Sequence, residues 1–385
     1  RIATALSSTD TPRLSLLPCW YQVQDTSMKV VPTFRFHSMA QAFLGLALLS
    51  PLLCHADALS RLANDDPRLT PATVLTLQQD GFTQVIIDGY IHQPTVEAFR
   101  QKVTSDGATY GIVYFNSAGG DLSAAEELGR LIRAKGYATQ IGKLTDDQSR
   151  IGRGVCESAC PIAFVGGKFR LIDSDTGQLG VHRFYLAKQG RWAADSAVLF
   201  TAERDLRLYL DEMGINPEFL EVMMKTPADT ILPIGKRSSY AWNLATGAEF
   251  SSWRHLEGGA LQGTGETSTG TFGLSLSCKE HAVQAEARFK PWFPATALLN
   301  YETHSLTVNG QRYAVQSVQA SFEKQTGFIT FSTTVTGDAL TALSRADRIG
   351  YSLSYDKQPG EYSRALTVGD EGTALSNFVS YCASD

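Results

Sequence analysis

The amino-acid sequence predicts an α/β domain followed by a smaller β-rich domain. Between residues 82 and 250, short apolar segments alternate with segments of helical periodicity, which is typical of a parallel sheet with crossover helices. Residues 257–271 are rich in Gly, Thr and Ser, the composition of a flexible linker. From residue 272 onward, apolar residues alternate with small or polar ones, which indicates strands with one buried face.

We therefore predict an α/β domain at 59–256, a linker at 257–271 and a β-rich domain at 272–385. The 385 residues are enough for two domains of ordinary size. With 43% apolar and 19% charged residues, the composition is that of a globular protein. The formal net charge of −5 argues against a nucleic-acid-binding surface.

Residues 1–58 are predicted to lie outside the folded domains, as an upstream segment followed by a signal peptide. Basic residues follow Met28, an apolar run of about 14 residues covers 40–53, and small residues come next. This run is shorter than the roughly 20 residues that span a bilayer. A signal beginning at Met28 or Met39 predicts a periplasmic or secreted protein. The alternative is a buried N-terminal helix.

The α/β part is predicted to alternate strands and helices along its whole length. Apolar and β-branched runs indicate strands at Phe82–Ile87, Tyr110–Phe115, Ala138–Ile141, Gly154–Cys156 and near 169–172 and 178–182. Helices are expected at 94–103, from residue 122 to Gly136, at Ser158–Val165, at 198–213 and from Pro217 to about Lys225. In the β-rich part, Phe272, Leu274, Leu276 and Cys278 mark a first strand, and a short helix is expected at 373–379.

Export would leave four cysteines in the mature chain, namely Cys156, Cys160, Cys278 and Cys382. An even number in an oxidising compartment suggests two disulfides. Four cysteines permit three pairings, and the sequence alone does not choose among them. Our hypothesis pairs Cys156 with Cys160 and Cys278 with Cys382. No cysteine or histidine group has the spacing of a zinc site, so we predict no metal site.

Three segments carry residue types suited to acyl transfer, and the first is Asn116–Asp121, where a strand passes into a helix. Gly119 and Gly120 let the backbone approach a ligand closely and present N–H groups, as an oxyanion hole requires. Many α/β turns share this strand-Gly-Gly-helix pattern, so the segment alone is not specific.

Ser158 and His182 are the other two candidates. If Ser158 begins a helix after a strand, its hydroxyl lies at the positive helix end and the Ala159 N–H faces the same space, which suits a nucleophile with an oxyanion donor. An ordinary N-cap serine is the alternative. His182 closes an apolar strand and is a candidate base, although an isolated histidine there is usually structural.

Taken together, these segments resemble the Clp protease proteolytic subunit, within the Clp protease/crotonase superfamily. In that family an Asn-Ser-Pro-Gly-Gly segment ends a strand, a serine at the next strand-to-helix turn is the nucleophile, and a later histidine is the base. Here Ala118 replaces the proline, and His182 follows Ser158 by 24 residues. The sequence is most similar to exported bacterial Clp-like proteins with a Cys-x-Ser-Ala-Cys motif, and the resemblance covers about residues 82–250.

The resemblance implies a fold of repeated β-β-α units and a third catalytic residue after the long helix. The exported group has a Thr-Pro-x-Asp segment there, which corresponds to Asp229; Asp205 and Asp211 are rivals, and a solvated turn aspartate is the alternative. One departure is that Ala-Cys-Pro follows Ser158, where the family usually has Met-Gly. The resemblance further implies a peptide or protein substrate, no cofactor, no ATPase partner outside the cytoplasm, and homo-oligomer formation.

The predicted function is that of an exported serine hydrolase, a peptidase. His182 would take the proton from Ser158, backbone N–H groups near Gly120 and Ala159 would hold the oxyanion, and Asp229 would orient His182. One alternative is a catalytically inactive Clp-fold protein that serves as a periplasmic binding or assembly module. A crotonase-type acyl-CoA enzyme is a third possibility, against which the leader and the Ser/His pair both argue.

Overall fold

The computed structural model describes residues 67–79, 81–104, 109–173, 177–188, 191–193 and 196–383. The predicted signal peptide lies outside these residues. No helix in the described part of the chain is long and apolar enough to cross a membrane. Residues 144–150, together with 67–69, belong to a first unit, in which the Thr145 N–H donates to the Arg150 carbonyl at 3.0 Å. All that follows concerns the second unit, residues 70–143 and 151–383.

The first sheet has the strand order β1-β2-β3-β4-β8. Its elements, with the helices between them, are β1 (Thr73–Gln79), β2 (Phe82–Asp88), α1 (Gln93–Thr104), β3 (Tyr110–Asn116), α2 (Leu122–Lys135), β4 (Ala138–Ile141) and β8 (Arg170–Leu171). Strand β1 is antiparallel to β2, and the other neighbours are parallel. Helices α1 and α2 are the crossovers that parallel pairing requires.

A second sheet has the order β12-β9-β7 and carries the strand ends that matter for the site. The remaining elements of this part are β5 (Lys143–Leu144), β6 (Ile151–Gly152), β7 (Gly154–Glu157), α3 (Cys160–Phe164), β9 (Gly177–Val181), β10 (Leu186–Lys188), β11 (Arg191–Ala193), α4 (Ser196–Glu212), α5 (Glu218–Lys225), β12 (Leu232–Ile234) and α6 (Lys236–Ala241). Strands β7 and β9 are parallel. The mixed α/β class is confirmed, whereas the first part runs β-β-α-β-α-β, so repeated β-β-α units are not confirmed.

The β-rich part, residues 249–383, consists of two antiparallel sheets. One has the order β13-β14-β15-β16-β20-β19 and the other β18-β17-β21-β22. Their elements are β13 (Glu249–His255), β14 (Leu261–Thr267), β15 (Gly270–Lys279), β16 (Ala282–Pro291), β17 (Thr303–Val308), β18 (Gln311–Ala314), β19 (Gln319–Glu323), β20 (Phe328–Val335), α7 (Gly337–Leu343), β21 (Arg348–Ser354), β22 (Glu361–Thr367) and α8 (Gly372–Ala383).

The predicted linker is not a linker in the structure, because residues 261–267 form strand β14, which lies between β13 and β15 in the six-stranded sheet. Its glycines make room for a side chain of the other sheet: a Cβ on Gly263 or Gly265 would lie 2.6 or 2.4 Å from a methyl carbon of Leu366. Glycine is therefore selected by packing at these two positions rather than by flexibility. The β-rich part accordingly begins with β13, not at residue 272.

Each part has its own hydrophobic core. Phe115, Phe164 and Tyr209 are fully buried in the core of the α/β part, residues 70–248 of the second unit. The second core, in the β-rich part, is built around aromatic rings, with Phe289 in contact with Phe331 and Tyr351. Contacts between the two parts include the edge-to-face pair of Phe82 and Trp292.

Both predicted disulfides are present. Cys156 and Cys160 are bonded with their Cα atoms 5.1 Å apart, and this bridge encloses Ser158. Cys278 in β15 is bonded to Cys382 in α8, with 5.5 Å between the Cα atoms and a sequence separation of 104. The second bridge thus ties the third strand of the β-rich part to its last helix.

Candidate active site

The carboxyl ends of three strands lie side by side and carry the predicted site residues. Strand β3 ends at Asn116, and the next residue, Ser117, forms a parallel bridge with Cys156 of β7. Strand β7 in turn pairs with β9, with Glu157 opposite Gly180. Ser117, Ser158 and His182 therefore follow neighbouring strand ends at one edge, the usual position of a ligand site in an α/β protein.

Ser158 has a backbone conformation that is uncommon for a residue with a side chain. Its φ is +59°, in the left-handed region, and its own N–H donates to the Gly180 carbonyl at 3.0 Å. On the preceding residue, the Glu157 N–H donates to the Ser117 carbonyl at 2.9 Å. A strained conformation of this kind persists only where the surroundings hold it, and such residues cluster at functional sites.

The predicted helix from Ser158 to Val165 is shorter in the structure. Helix α3 begins at Cys160, with Ala159 as its N-cap residue, and it contains five residues. Ser158 is therefore not an N-cap serine but lies on a tight turn before the helix. The turn leaves its side chain partly exposed, while Ala159 and Cys160 on either side of the helix start are buried.

Gly119 lies directly against this serine. A Cβ on Gly119 would lie 2.6 Å from Ser158 Cβ and 3.0 Å from Ser158 Oγ, so that only glycine fits. Its φ of +124° also favours glycine. The Gly119 N–H donates to Ser117 Oγ at 3.2 Å, and its carbonyl accepts from the Ile91 N–H at 2.8 Å. The Gly119 N–H is thus already bonded within the turn and is not a free oxyanion donor. What Gly119 contributes to the site is room for the Ser158 side chain.

The two other predicted oxyanion donors are Gly120 and Ala159. Within the residues that the structure describes, neither the Gly120 N–H nor the Ala159 N–H donates a hydrogen bond to a protein acceptor. The Ala159 nitrogen lies 3.3 Å from the Cβ position of Gly119, next to Ser158. Ala159 is buried, and a buried N–H normally has a partner, so this group is suited to bind one. Gly120 is exposed, so its N–H is accessible to a ligand.

His182 is 8% exposed, and one of its ring nitrogens is held by the backbone. Nδ1 lies 2.8 Å from the Arg183 carbonyl oxygen. Because a carbonyl oxygen only accepts, Nδ1 is the donor in this contact. In the neutral ring this leaves the lone pair on Nε2, as a general base requires. The ring also stacks against Tyr185, with 6.0 Å between the ring centroids.

The backbone brings His182 near Ser158, although no hydrogen bond joins their side chains among the described residues. The Ser158 N–H is bonded to Gly180, two residues before His182 on β9. A nucleophile and its base are often farther apart in an unliganded site than in the substrate complex. The Ser158 hydroxyl and the His182 imidazole therefore lie after adjacent strand ends, without a hydrogen bond between them in the part of the chain that the structure describes.

The predicted hydrogen bond between His182 and Asp229 is not among those of the described residues. The Asp229 side chain is exposed and accepts from Thr230 Oγ1 at 3.4 Å, while Nδ1 of His182 bonds the Arg183 carbonyl. The loop itself is adjacent, because the Arg183 N–H donates to the Thr226 carbonyl at 3.0 Å. The rivals are exposed as well: Asp205 is paired with Arg204, and Asp211 lies on the outer face of α4.

One pair near the site has no counterpart in the sequence prediction. Asp121 follows the Gly-Gly turn, and its Oδ2 lies 2.8 Å from Nδ1 of His92. The sequence carried no signal for this pair, because His92 comes near Asp121 through the contact of Ile91 with the Gly119 carbonyl, which is visible only in the tertiary structure. No cluster of three or more potential metal ligands occurs in the described ranges.

The sequence matches no protein-family model and no curated protein. Part of this chain matches solved structures, and two of these matches are the following. One is a Ser-to-Ala mutant of 1510-N, a membrane-bound stomatin-specific protease, with a TM-score of 0.33 and 16% identity over 42% of this chain and 75% of that one. The other is an Asn-to-Asp mutant of ClpP1 from Listeria monocytogenes, with a TM-score of 0.33 and 12% identity over 42% of this chain and 88% of that one.

Proposed function

We propose that this protein is an exported serine hydrolase that cleaves peptide bonds. The observation that carries the proposal is the turn at Ser158, a serine with a φ of +59° packed against Gly119 and followed by an unengaged Ala159 N–H. A serine on a strained strand-to-helix turn beside backbone donors is the arrangement that presents a nucleophile to a carbonyl carbon. A structural serine would need neither feature.

In the proposed mechanism, Nε2 of His182 removes the proton from Ser158 Oγ as this oxygen attacks the substrate carbonyl carbon. The N–H groups of Gly120 and Ala159 stabilise the oxyanion. His182 then gives its proton to the leaving amine as the C–N bond breaks. Water attacks the resulting acyl-enzyme, with His182 as base again, and returns Ser158 to its hydroxyl form. The hydrogen bond from Nδ1 to the Arg183 carbonyl supports this cycle, because it keeps the imidazole oriented.

The proposal includes a location, a substrate and an assembly state. Two disulfides are compatible with an oxidising compartment, and this supports export. The substrate is proposed to be a peptide or protein, without a cofactor and without an ATPase partner. We keep homo-oligomer formation as part of the same proposal.

A fluorophosphonate probe tests the nucleophile. We expect the wild type to be labelled at Ser158 and the Ser158→Ala protein to be unlabelled. Ser321→Ala is the matched control, since this serine is exposed on β19, outside the site, and its removal should leave labelling unchanged. Equal labelling of wild type and Ser158→Ala would overturn the proposal.

A second candidate function is that of a catalytically inactive binding or assembly module in the periplasm. The observation that favours it is that no carboxylate contacts His182 within the described residues. On this alternative the probe labels neither wild type nor variant, peptides are not cleaved, and the His182→Ala protein keeps whatever binding the wild type has.

A further inference from the structure

A cavity of about 960 Å³ lies between the α/β part and the β-rich part, away from Ser158 and His182. Its lining is strongly cationic. In the described part of the chain, five basic residues line the cavity: Arg133, Lys135, Lys168, Arg170 and Lys290. One acidic residue, Glu266, lines it as well. Glu266 is ion-paired with Lys168 at 2.5 Å, so positive charge predominates in this lining.

Two guanidinium groups meet at one side of the cavity. Nη2 of Arg133 and Nη1 of Arg170 both donate to the Gly167 carbonyl, at 3.2 and 3.1 Å. The remaining hydrogen bonds of these two side chains go to other backbone carbonyls, those of Val165, Gly166 and Asn243. Carbonyl oxygens satisfy N–H groups but cancel no charge, so two positive charges lie side by side at this carbonyl. The Glu212 carboxylate stabilises the charge of Arg133 only in part, because burial still lowers the pKa of this arginine.

The electrostatic cost of this arrangement falls on Arg170, which is 6% exposed. Burial and, to a smaller extent, the neighbouring Arg133 cation lower the pKa of Arg170 to about 10. Among the described residues, neither arginine has a carboxylate within ion-pair distance. An anion that entered the cavity would remove this repulsion, and a planar guanidinium matches the oxygens of phosphate groups.

Aromatic side chains, Phe169 and Phe250, also line the cavity, and we call this pair the aromatic wall. Phe169 and Phe250 stack with 4.8 Å between their centroids, and both line the cavity. Phe250 is 43% exposed. Lys290 of β16 lies over the ring of Phe328 of β20, with its Nζ 5.9 Å from the ring centroid, and both residues line the cavity. The cavity thus offers a cationic side for an anionic group and apolar rings for an organic one.

We infer that the cavity between the two parts is a binding site for a phosphate-type dianion, held by Arg133, Arg170 and Lys290. The phosphate can be free or the end group of an aromatic ester, whose ring would stack on the exposed Phe250, which the buried Phe169 supports from behind. This site is independent of the proposed hydrolase activity, because no residue of the Ser158 turn lines it.

Titration of the whole protein with inorganic phosphate and with phenyl phosphate tests the inference. Each ligand is followed by calorimetry and by the thermal unfolding midpoint, with sodium chloride at the same ionic strength as reference. We expect saturable binding and a rising midpoint with phosphate. If the aromatic wall contributes, phenyl phosphate binds more tightly; equal affinities assign the site to the free anion.

Variants locate the binding within the molecule. Lys290→Gln should weaken phosphate binding about three- to fivefold, the typical effect of one half-exposed charge. Arg170→Gln should abolish it, but this side chain also holds backbone carbonyls, so Lys290→Gln keeps the test decisive if Arg170→Gln does not fold. Lys279→Gln, which removes an exposed cation of the same part outside the cavity, is the matched control. No midpoint shift beyond that of chloride, or equal binding by the Lys290→Gln and Lys279→Gln proteins, would show that the cavity is not an anion site.

Discussion

At the scale of single residues, the candidate site depends on one strained serine and on the glycine that makes room for it. Ser158 has a positive φ, and Gly119 approaches it so closely that any side chain would overlap with it. Strain in this position costs free energy, of the order of 1 to 3 kcal/mol, and is maintained by the two sheets and the disulfide. Because strained residues of this kind cluster at functional sites, the strain points to chemistry.

Substituting Gly119 tests this interpretation. In the Gly119→Ala protein the new methyl group would overlap with Ser158 Cβ, at 2.6 Å, and move the hydroxyl. A displacement of about 1 Å lowers turnover by about 100-fold, so we expect at least this loss in the rate of fluorophosphonate labelling. Gly235→Ala is the control, since a Cβ there meets nothing within 4 Å. Unchanged labelling in a folded Gly119→Ala protein would contradict the placement of the nucleophile.

The residue that orients His182 can be identified by comparing two variants. His182→Ala should lower turnover by about three orders of magnitude, as removal of a catalytic base does. Asp229→Asn should change it less than about threefold, because the Arg183 carbonyl already binds Nδ1. The turnover rates of the wild type and the two variants, measured on the same peptide, show whether Asp229 is needed to orient His182. A large loss in Asp229→Asn would mean that the aspartate reaches the histidine during turnover, as the sequence resemblance implies.

At the scale of elements, strand β14 shows that glycine content can reflect packing. Gly263 and Gly265 face the other sheet of the β-rich part, where Leu366 fills the space above them and is 1% exposed. A strand of this composition looks like a linker when it is read alone. The neighbouring strands supply both the hydrogen bonds and the side chain that glycine accommodates.

Placing a valine in this strand tests whether residues 261–267 are a packed strand or a flexible linker. Valine favours strands by propensity, but in the Gly265→Val protein it would overlap with a Leu366 methyl carbon at 2.4 Å. We expect a loss of about 1 to 3 kcal/mol in the free energy of unfolding, as for other overpacked sites. Thr264→Val on the exposed face should stay within about 0.5 kcal/mol. Denaturant titration measures both, and equal stability would mean that residues 261–267 are a linker after all.

At the scale of the whole molecule, the two disulfides have different roles. The Cys156–Cys160 bridge closes a loop of four residues, so it contributes little loop entropy and serves the local turn. The Cys278–Cys382 bridge spans 104 residues and constrains the unfolded β-rich part. On the chain-entropy model a loop of about 100 residues stabilises by about 4 to 5 kcal/mol.

Replacing each cysteine pair by alanines tests whether the first bridge acts on the turn at Ser158 and the second on the stability of the β-rich part. We expect the Cys278→Ala/Cys382→Ala protein to lose several kcal/mol of stability with its labelling at Ser158 intact. The Cys156→Ala/Cys160→Ala protein should unfold near the wild-type midpoint but react more slowly with the probe. Thermal unfolding and labelling rates on the same samples provide both readouts. The reverse pattern would refute the assignment of the first bridge to the site.

The periodicity of apolar residues in the sequence determined the mixed α/β class, the β-rich C-terminal part and most strand positions, because burial of apolar side chains acts locally along each element. The order of apolar runs and helical segments also placed Gly119 and Ser158 close to junctions between a strand and a helix. The cysteine pairings were a hypothesis that the sequence alone did not decide, and the structure contains both of them.

Long-range packing was not predictable from the sequence. The tertiary structure alone decided that β14 is a strand, that Ser158 precedes its helix in a left-handed conformation, and that the Arg183 carbonyl holds His182. It also decided that Arg133 and Arg170 converge on one carbonyl. Each of these depends on which distant backbone atoms come into contact, and side-chain patterns along the chain carry no record of those contacts.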